Sequence, residues 1–338
     1  MKKIFNIALA TITVACIGPA SAQKGGYQLK TAFHIASAGG WDYLATDPGA
    51  NKLYVSHGTQ VNILDKTTGD SLGVIENTTG VHGIAFDDAL GKGYTSNGRL
   101  NNVSVFELKT GKVLSQIATG ENPDAILYDE FSKKVITCNG RGKDLTVIDP
   151  VTEKVVATIP MGGKPETAVT DNAGKLYVNV EDKNEIVVVD IVKFEVLSHW
   201  TLSPAEGPTG LAIDRQSKRL FAGCDKLLVV MNAETGAIVS KLPIGDGCDG
   251  VAFDPASKTI FTSNGEGTMT VVKEVSPSEF KVMENVVTKK SARTITLDEK
   301  THKIYLLAAD FDPVAADAPP RTRPKMIPGS FQVLVFEK

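Results

Sequence analysis

Seven residues at near-regular spacing carry most of the chemistry this chain could perform. Asp42, His82, Asp124, Glu166, Thr209, Asp249 and Arg293 stand 40, 42, 42, 43, 40 and 44 residues apart. Brought together, their four carboxylates, imidazole and guanidinium would make a cluster able to hold a cation or a polar ligand. Crowded carboxylates repel and raise one another's pKa unless a cation or an arginine relieves them. The competing reading is a hydrated rim whose acids face water and backbone amides. His57 adds a second imidazole, so His57, His82 and Asp42 form a candidate transition-metal set. No H-x-x-x-H or C-x-x-C spacing links them, and only the fold could bring them within the ~2.0–2.2 Å of a metal bond. A divalent metal is the one cofactor these residues suggest.

Cys224 in "AGCD" and Cys248 in "GDGCDG" belong to neighbouring segments of the same period and form a candidate disulfide, whereas Cys138 in "VITCNG" reads as a small packing residue. Pairing would suit an oxidising compartment. The first 22 residues point there too. Lys2 and Lys3 precede an apolar run from Ile4 to Ile17, followed by Ala20-Ser21-Ala22, the pattern of a secretory signal peptide. Cys16 raises the alternative of a lipid tether, but Thr13 fits a lipobox poorly. A periplasmic or secreted protein is expected. Loss of Lys2 and Lys3 would move the formal charge from −3 to −5, which argues against a nucleic-acid partner. No apolar run is long enough to cross a bilayer.

The positioning elements follow from the period. Each of the seven residues opens a short apolar run ending in an acid or close to one: "DYLATD", "HGIAFD", "DAILYD", "ETAVTD", "TGLAID", "DGVAFD" and "RTITLD". A turn and a second run follow ("NKLYVS", "KVITC", "GKLYVN", "KRLFAG", "KTIFTS", "HKIYLL"), then a third ("VNILD", "VSVFE", "LTVID", "IVVVD", "LVVMN") and a fourth. These runs are short, β-branched and aromatic, and Gly, Asp and Asn separate them. Each unit therefore predicts a four-stranded antiparallel sheet. A sheet of this size cannot bury its faces alone, so copies must stack. Radial stacking of units near this length gives a β-propeller. We expect one all-β domain over 23–338, with seven blades starting near 41, 81, 123, 165, 208, 248 and 292. The last unit is one strand short, and Tyr27–Ile35 is expected to supply it, closing the ring.

The tetrad "TSNG" recurs at Thr95–Gly98 and Thr262–Gly265, and "TCNG" at Thr137–Gly140. Asn-Gly there predicts a tight reversal with positive φ, placing Asn97, Asn139 and Asn264 on the loop-bearing face with the seven-residue column. The largest break in the repeat is the proline-rich insertion 310–330, whose Arg321, Arg323 and Lys325 could fold over that face as a cationic lid. Trp41, beside Asp42, is either a stacking platform or a packing residue.

On "KLYVSHG" (52–58), "KLYVNVED" (175–182) and the "KTTG", "KTG" and "AETG" turns, the sequence resembles the YVTN β-propeller repeat family of exported and surface-layer proteins. The likeness covers 27–338 and implies a recognition scaffold. Related propellers include lactonases and quinoprotein dehydrogenases. With Trp41 and Trp200 the only tryptophans and no H-E-x-x-H present, two functions are expected. One is a non-catalytic, monomeric propeller binding a small polar ligand, metal complex or protein at its mouth. The other is a metal-assisted hydrolase.

Overall fold

The two middle runs of each unit show no alternation of apolar and polar residues, which is the pattern of a strand covered on both faces. In the computed structural model, which describes residues 26–37, 39–314, 322 and 324–338, they are such strands. Lys52–His57 and Gln60–Asp65 of the first unit are buried almost throughout, as are their counterparts in the other six. The outermost strand has only one covered face. Glu195–Thr201 accordingly alternates exposed and half-buried residues.

Seven four-stranded antiparallel sheets form, each paired in chain order from the inside out. The exception is the seventh. Ile295–Asp298, Lys303–Ala308 and Gln332–Glu337 are completed by Gln28–His34 as the outermost strand, with Phe33 opposite Val333 and Ala32 opposite Leu334. This is the expected closure. Phe33 and Ile35 are buried there, each stabilising the clasp by about 1.5–3 kcal/mol.

Apolar clusters run between blades. Leu53 and Val55 of the first blade pack with Tyr305, Leu307 and Val333 of the seventh. A fully buried aromatic in the second strand mediates many of these contacts. Tyr54 lies 5.0 Å from Phe86 of the next blade, and Phe221 lies 5.2 Å from Phe253 of its own neighbour. Each sheet thus leans a large side chain on the next, and no sheet buries its core alone.

The leader-like residues 1–22, with Cys16, lie outside the described residues, as do Arg321 and Arg323. At the base of the insertion, Phe311 pairs with Met326, and Phe311 and Phe331 pack on Trp41 with ring centroids 6.0 and 5.0 Å away. Trp41 is therefore a packing residue. Lys325 is exposed.

Candidate functional site

The tetrad "TSNG" explains how the column is held, and it corrects the expected turn. Asn97, Asn139 and Asn264 end their strands, fully buried, and are absent from the positive-φ residues. The positive φ falls on Asn101, Lys143 and Gly267 instead. Each asparagine is a clasp. Asn139 Oδ1 accepts from Thr137 Oγ1 at 2.9 Å, and its Nδ2 donates to Asp144 Oδ1 at 2.7 Å and Thr146 Oγ1 at 2.8 Å. Asn97 and Asn264 repeat the pattern. An asparagine whose donors and acceptor are all satisfied inside a sheet is not free for a ligand. These three leave the candidate set.

The serine before it reaches the next blade. Ser96 Oγ donates to the Asp124 carbonyl, and Ser263 Oγ donates to that of Arg293 at 2.5 Å. In the irregular fourth blade Asn179 replaces the serine, donating to the Thr209 carbonyl at 3.1 Å, and Thr294 Oγ1 binds the Asp42 carbonyl at 2.6 Å. The glycine provides clearance. A Cβ on Gly98 would lie 2.6 Å from His82 Nε2.

Bulges then aim the side chains. Strand pairing slips between Val81 and Ile84, Pro123 and Ile126, Pro165 and Ala168, and Cys248 and Gly250. An extra residue at such a point redirects a side chain, and here it falls at or beside His82, Asp124, Glu166 and Asp249. Charged contacts across the channel follow. His82 Nδ1 lies 2.5 Å from Asp42 Oδ2 and 3.6 Å from Asp124 Oδ1. Arg293 pairs with Asp249 and sits 3.5 Å from Asp42 Oδ1. Thr209 turns away, its hydroxyl donating to the Cys248 carbonyl at 2.7 Å.

Three participants were not anticipated. Lys164 pairs with both Glu166 and Glu181. Glu181 lies in "NVED", where the fourth unit departs from "SNG". Tyr43 packs between blades, against the cluster of Ala125 and Ala168. The residue after each column member is Tyr43, Gly83, Ala125, Thr167, Gly210, Gly250 or Thr294, so one large ring stands among six small residues, close enough to feel the charges of the column acids.

The electrostatics are those of incompletely paired acids. Burial, then the charge of Asp42, raises the Asp124 carboxyl to about 6, with His82 and Lys164 opposing. Burial and Asp124 raise Glu166 to about 8. Its partner ammonium is shared with Glu181 and stays protonated, so Glu166 is only partly compensated. Burial also raises Asp249, against the pull of Arg293. Burial would lower His82, but the hydrogen bond to Asp42 and the charges of Asp124, Asp42 and Glu166 outweigh it and raise its pKa. Tyr43 is pushed far up by burial and by Asp124, Asp42, Glu166 and Asp249, so its phenol stays protonated.

Other candidates separate from the mouth. His57 is fully buried, 2.6 Å from Ser37 Oγ and 3.0 Å from the Gly39 carbonyl, with the Phe331 ring tilted against it at 4.2 Å. Burial lowers its pKa, leaving a neutral packing histidine outside any metal set. Asp42, His82 and Asp124 form the set instead, with one ligand atom from each within 4.8 Å of the others. Cys224 and Cys248 form no disulfide. Both are free and buried, as is Cys138, and burial raises the Cys224 thiol to about 12. Two runs match catalytic patterns by letter, Gly69–Gly73 ("GDSLG") and Gly245–Gly250 ("GDGCDG"). The first enters the outermost strand of blade one and the second the innermost strand of blade six, without the helix that gives such motifs their chemistry.

No protein-family model matches the chain, and no curated protein does. Solved structures do. Hydrazine synthase from Kuenenia stuttgartiensis superposes with a TM-score of 0.71 at 15% identity, covering 81% of this chain and 94% of that one. The WD40 repeats of RRP9 give 0.76 at 8% identity, covering 92% and 100%. Identity this low speaks to fold alone. By sheet topology, ring closure and these neighbours, the chain is a seven-bladed β-propeller.

Proposed function

We propose that this is an exported, monomeric, non-catalytic propeller that recognises a small polar ligand of net positive charge at its channel mouth. Kinship with the YVTN repeat proteins is part of the proposal. Export rests on the leader pattern of residues 1–22. One observation carries the binding reading: Asp42, Asp124, Glu166, Glu181 and Asp249 gather around Tyr43, and among the described residues the lysine and arginine side chains paired with them are Lys164 and Arg293. Low-dielectric walls focus such a field and favour a cationic guest.

A thermal-shift panel of polar amines, amino acids and neutral controls tests this. Cationic members should raise the midpoint, and Glu166→Gln with Asp249→Asn should abolish the shift. No stabiliser in the panel, or a shift undiminished in that variant, rejects the reading. A metal-assisted hydrolase is the second reading, favoured by the place of His82 between two carboxylates. It requires turnover of a lactone or ester panel that disappears in His82→Ala.

A further inference from the structure

The sequence holds five histidines, His34, His57, His82, His199 and His302. His199 and His302 each face a single carboxylate, Glu185 at 2.9 Å and Asp254 at 3.0 Å. His57 faces none. Among the described residues only His82 has two carboxylates from different blades within 4 Å of one ring nitrogen. Blades one, two and three each contribute one of these groups, all from the same level of the ring.

The second observation is Asp124 itself. Its Oδ1 is sealed from solvent, accepts no hydrogen bond and points toward His82 Nδ1 at 3.6 Å. A buried carboxylate oxygen without a donor is costly and calls for a partner. That nitrogen is already engaged by Asp42 at 2.5 Å. A cation placed among the three groups would satisfy that oxygen, in exchange for the proton shared by His82 and Asp42.

We propose that the guest of this mouth is a divalent first-row transition-metal ion, held by His82 Nδ1 and by one oxygen each of Asp42 and Asp124. The inference rests on the pocket reading above and narrows its ligand class. Donors about 2.1 Å from a tetrahedral ion stand ~3.4 Å apart. The 3.6 Å between His82 Nδ1 and Asp124 Oδ1 already meets that spacing. The 2.5 Å between His82 Nδ1 and Asp42 Oδ2 is a proton-bridged contact, and it must lengthen as the ion enters. The bridging proton leaves to solvent, Nδ1 gives its lone pair to the metal, and no electron changes hands. One nitrogen with two oxygens selects Zn²⁺ or Co²⁺ over Ca²⁺ and Mg²⁺, whose sites are built from oxygen. Arg293, 3.5 Å from Asp42 Oδ1, is a built-in competitor for the same carboxylate.

Calorimetric titration with Zn²⁺, on protein purified without a histidine tag or chelator, tests this directly. Saturable binding of one ion per chain is expected, weakened roughly a hundredfold or more in His82→Ala and in Asp124→Asn. Arg293→Met should bind roughly threefold tighter or better, because a positive charge beside the site is gone. A folding defect cannot produce that opposite sign. Co²⁺ should give a low-coordinate d–d absorption that His82→Ala abolishes. His199→Ala with His302→Ala should leave the stoichiometry unchanged.

Absence of one-site binding, or equal affinity in His82→Ala, overturns the metal. So does Ca²⁺ binding as tightly as Zn²⁺. The pocket reading is judged apart from this, by the amine panel and the Glu166 and Asp249 variants, which spare all three proposed ligands.

Discussion

The two ends of the innermost strands carry the same residue type under opposite conditions. At the bottom, the closing acids Asp214, Asp254 and Asp298 are buried and reach the following blade. Lys258 lies 2.7 Å from Asp214, His302 3.0 Å from Asp254 and Lys66 3.0 Å from Asp298. Each also accepts a backbone N–H from its own turn, from Gln216, Ala256 or Lys300. Burial alone would raise Asp214 and Asp298, yet their neighbours hold both below the usual carboxylate range. At the top, Asp124, Glu166 and Asp249 keep more contact with solvent than these, yet all three are raised. A sheet that satisfies its acids at one end and leaves them under-compensated at the other has stability at the first and binding capacity at the second.

The comparison breaks most sharply at the ring seam. Lys66→Met strands the Asp298 carboxylate without its ammonium and should cost about 3–5 kcal/mol, read as a lowered urea midpoint. Paired Asp→Asn substitutions come next. Asp214→Asn should destabilise by about 1–3 kcal/mol through loss of a charged hydrogen bond. Asp124→Asn should stabilise by about 1–2 kcal/mol near pH 8, because a repelled buried charge is removed. Equal signs for the two would refute the contrast.

A pH series sharpens it. Folded pKa values near 6 for Asp124 and 8 for Glu166 lie above the ordinary 3.8 and 4.5. Their stabilising contribution is therefore present in acid and lost as pH rises toward 8. For Asp214 and Asp298, held low, the contribution is lost only below about pH 4. Between pH 5 and 8 the melting midpoint should fall with rising pH, and Asp124→Asn with Glu166→Gln should flatten the profile. Buried neutral His57 acts in the opposite sense, so the comparison with that double variant is the decisive one. The smallest effect belongs to the surface. Lys218→Ala, removing an exposed ion pair with Glu234, should leave the midpoint unchanged.

Blade number, strand order and ring closure were all legible in the chain. A period near 42, β-branched runs too short for helices and a seventh unit lacking one strand leave few alternatives to a closed wheel. The column of Asp42, His82, Asp124, Glu166, Asp249 and Arg293 was legible for the same reason, since equivalent repeat positions must meet at one face. "TSNG" was legible as a recurrence but not as a device. Thr braces the Asn two residues on, while Ser, Asn and Gly answer to atoms on another strand or the next blade, and spacing carries no such information. His57 stands in the asparagine column, yet Phe331, over 270 positions away, covers it.

Sequence alone determined which residues occupy equivalent places, because repetition of the chain enforces repetition of the sheet. Tertiary structure decided which of them interact. A bulge of one residue turns a side chain toward the channel or away from it. Contacts between blades then set whether an acid meets a lysine, a backbone amide or another acid. Distances of a few ångströms across a low-dielectric channel depend on every intervening side chain, and no local pattern encodes them.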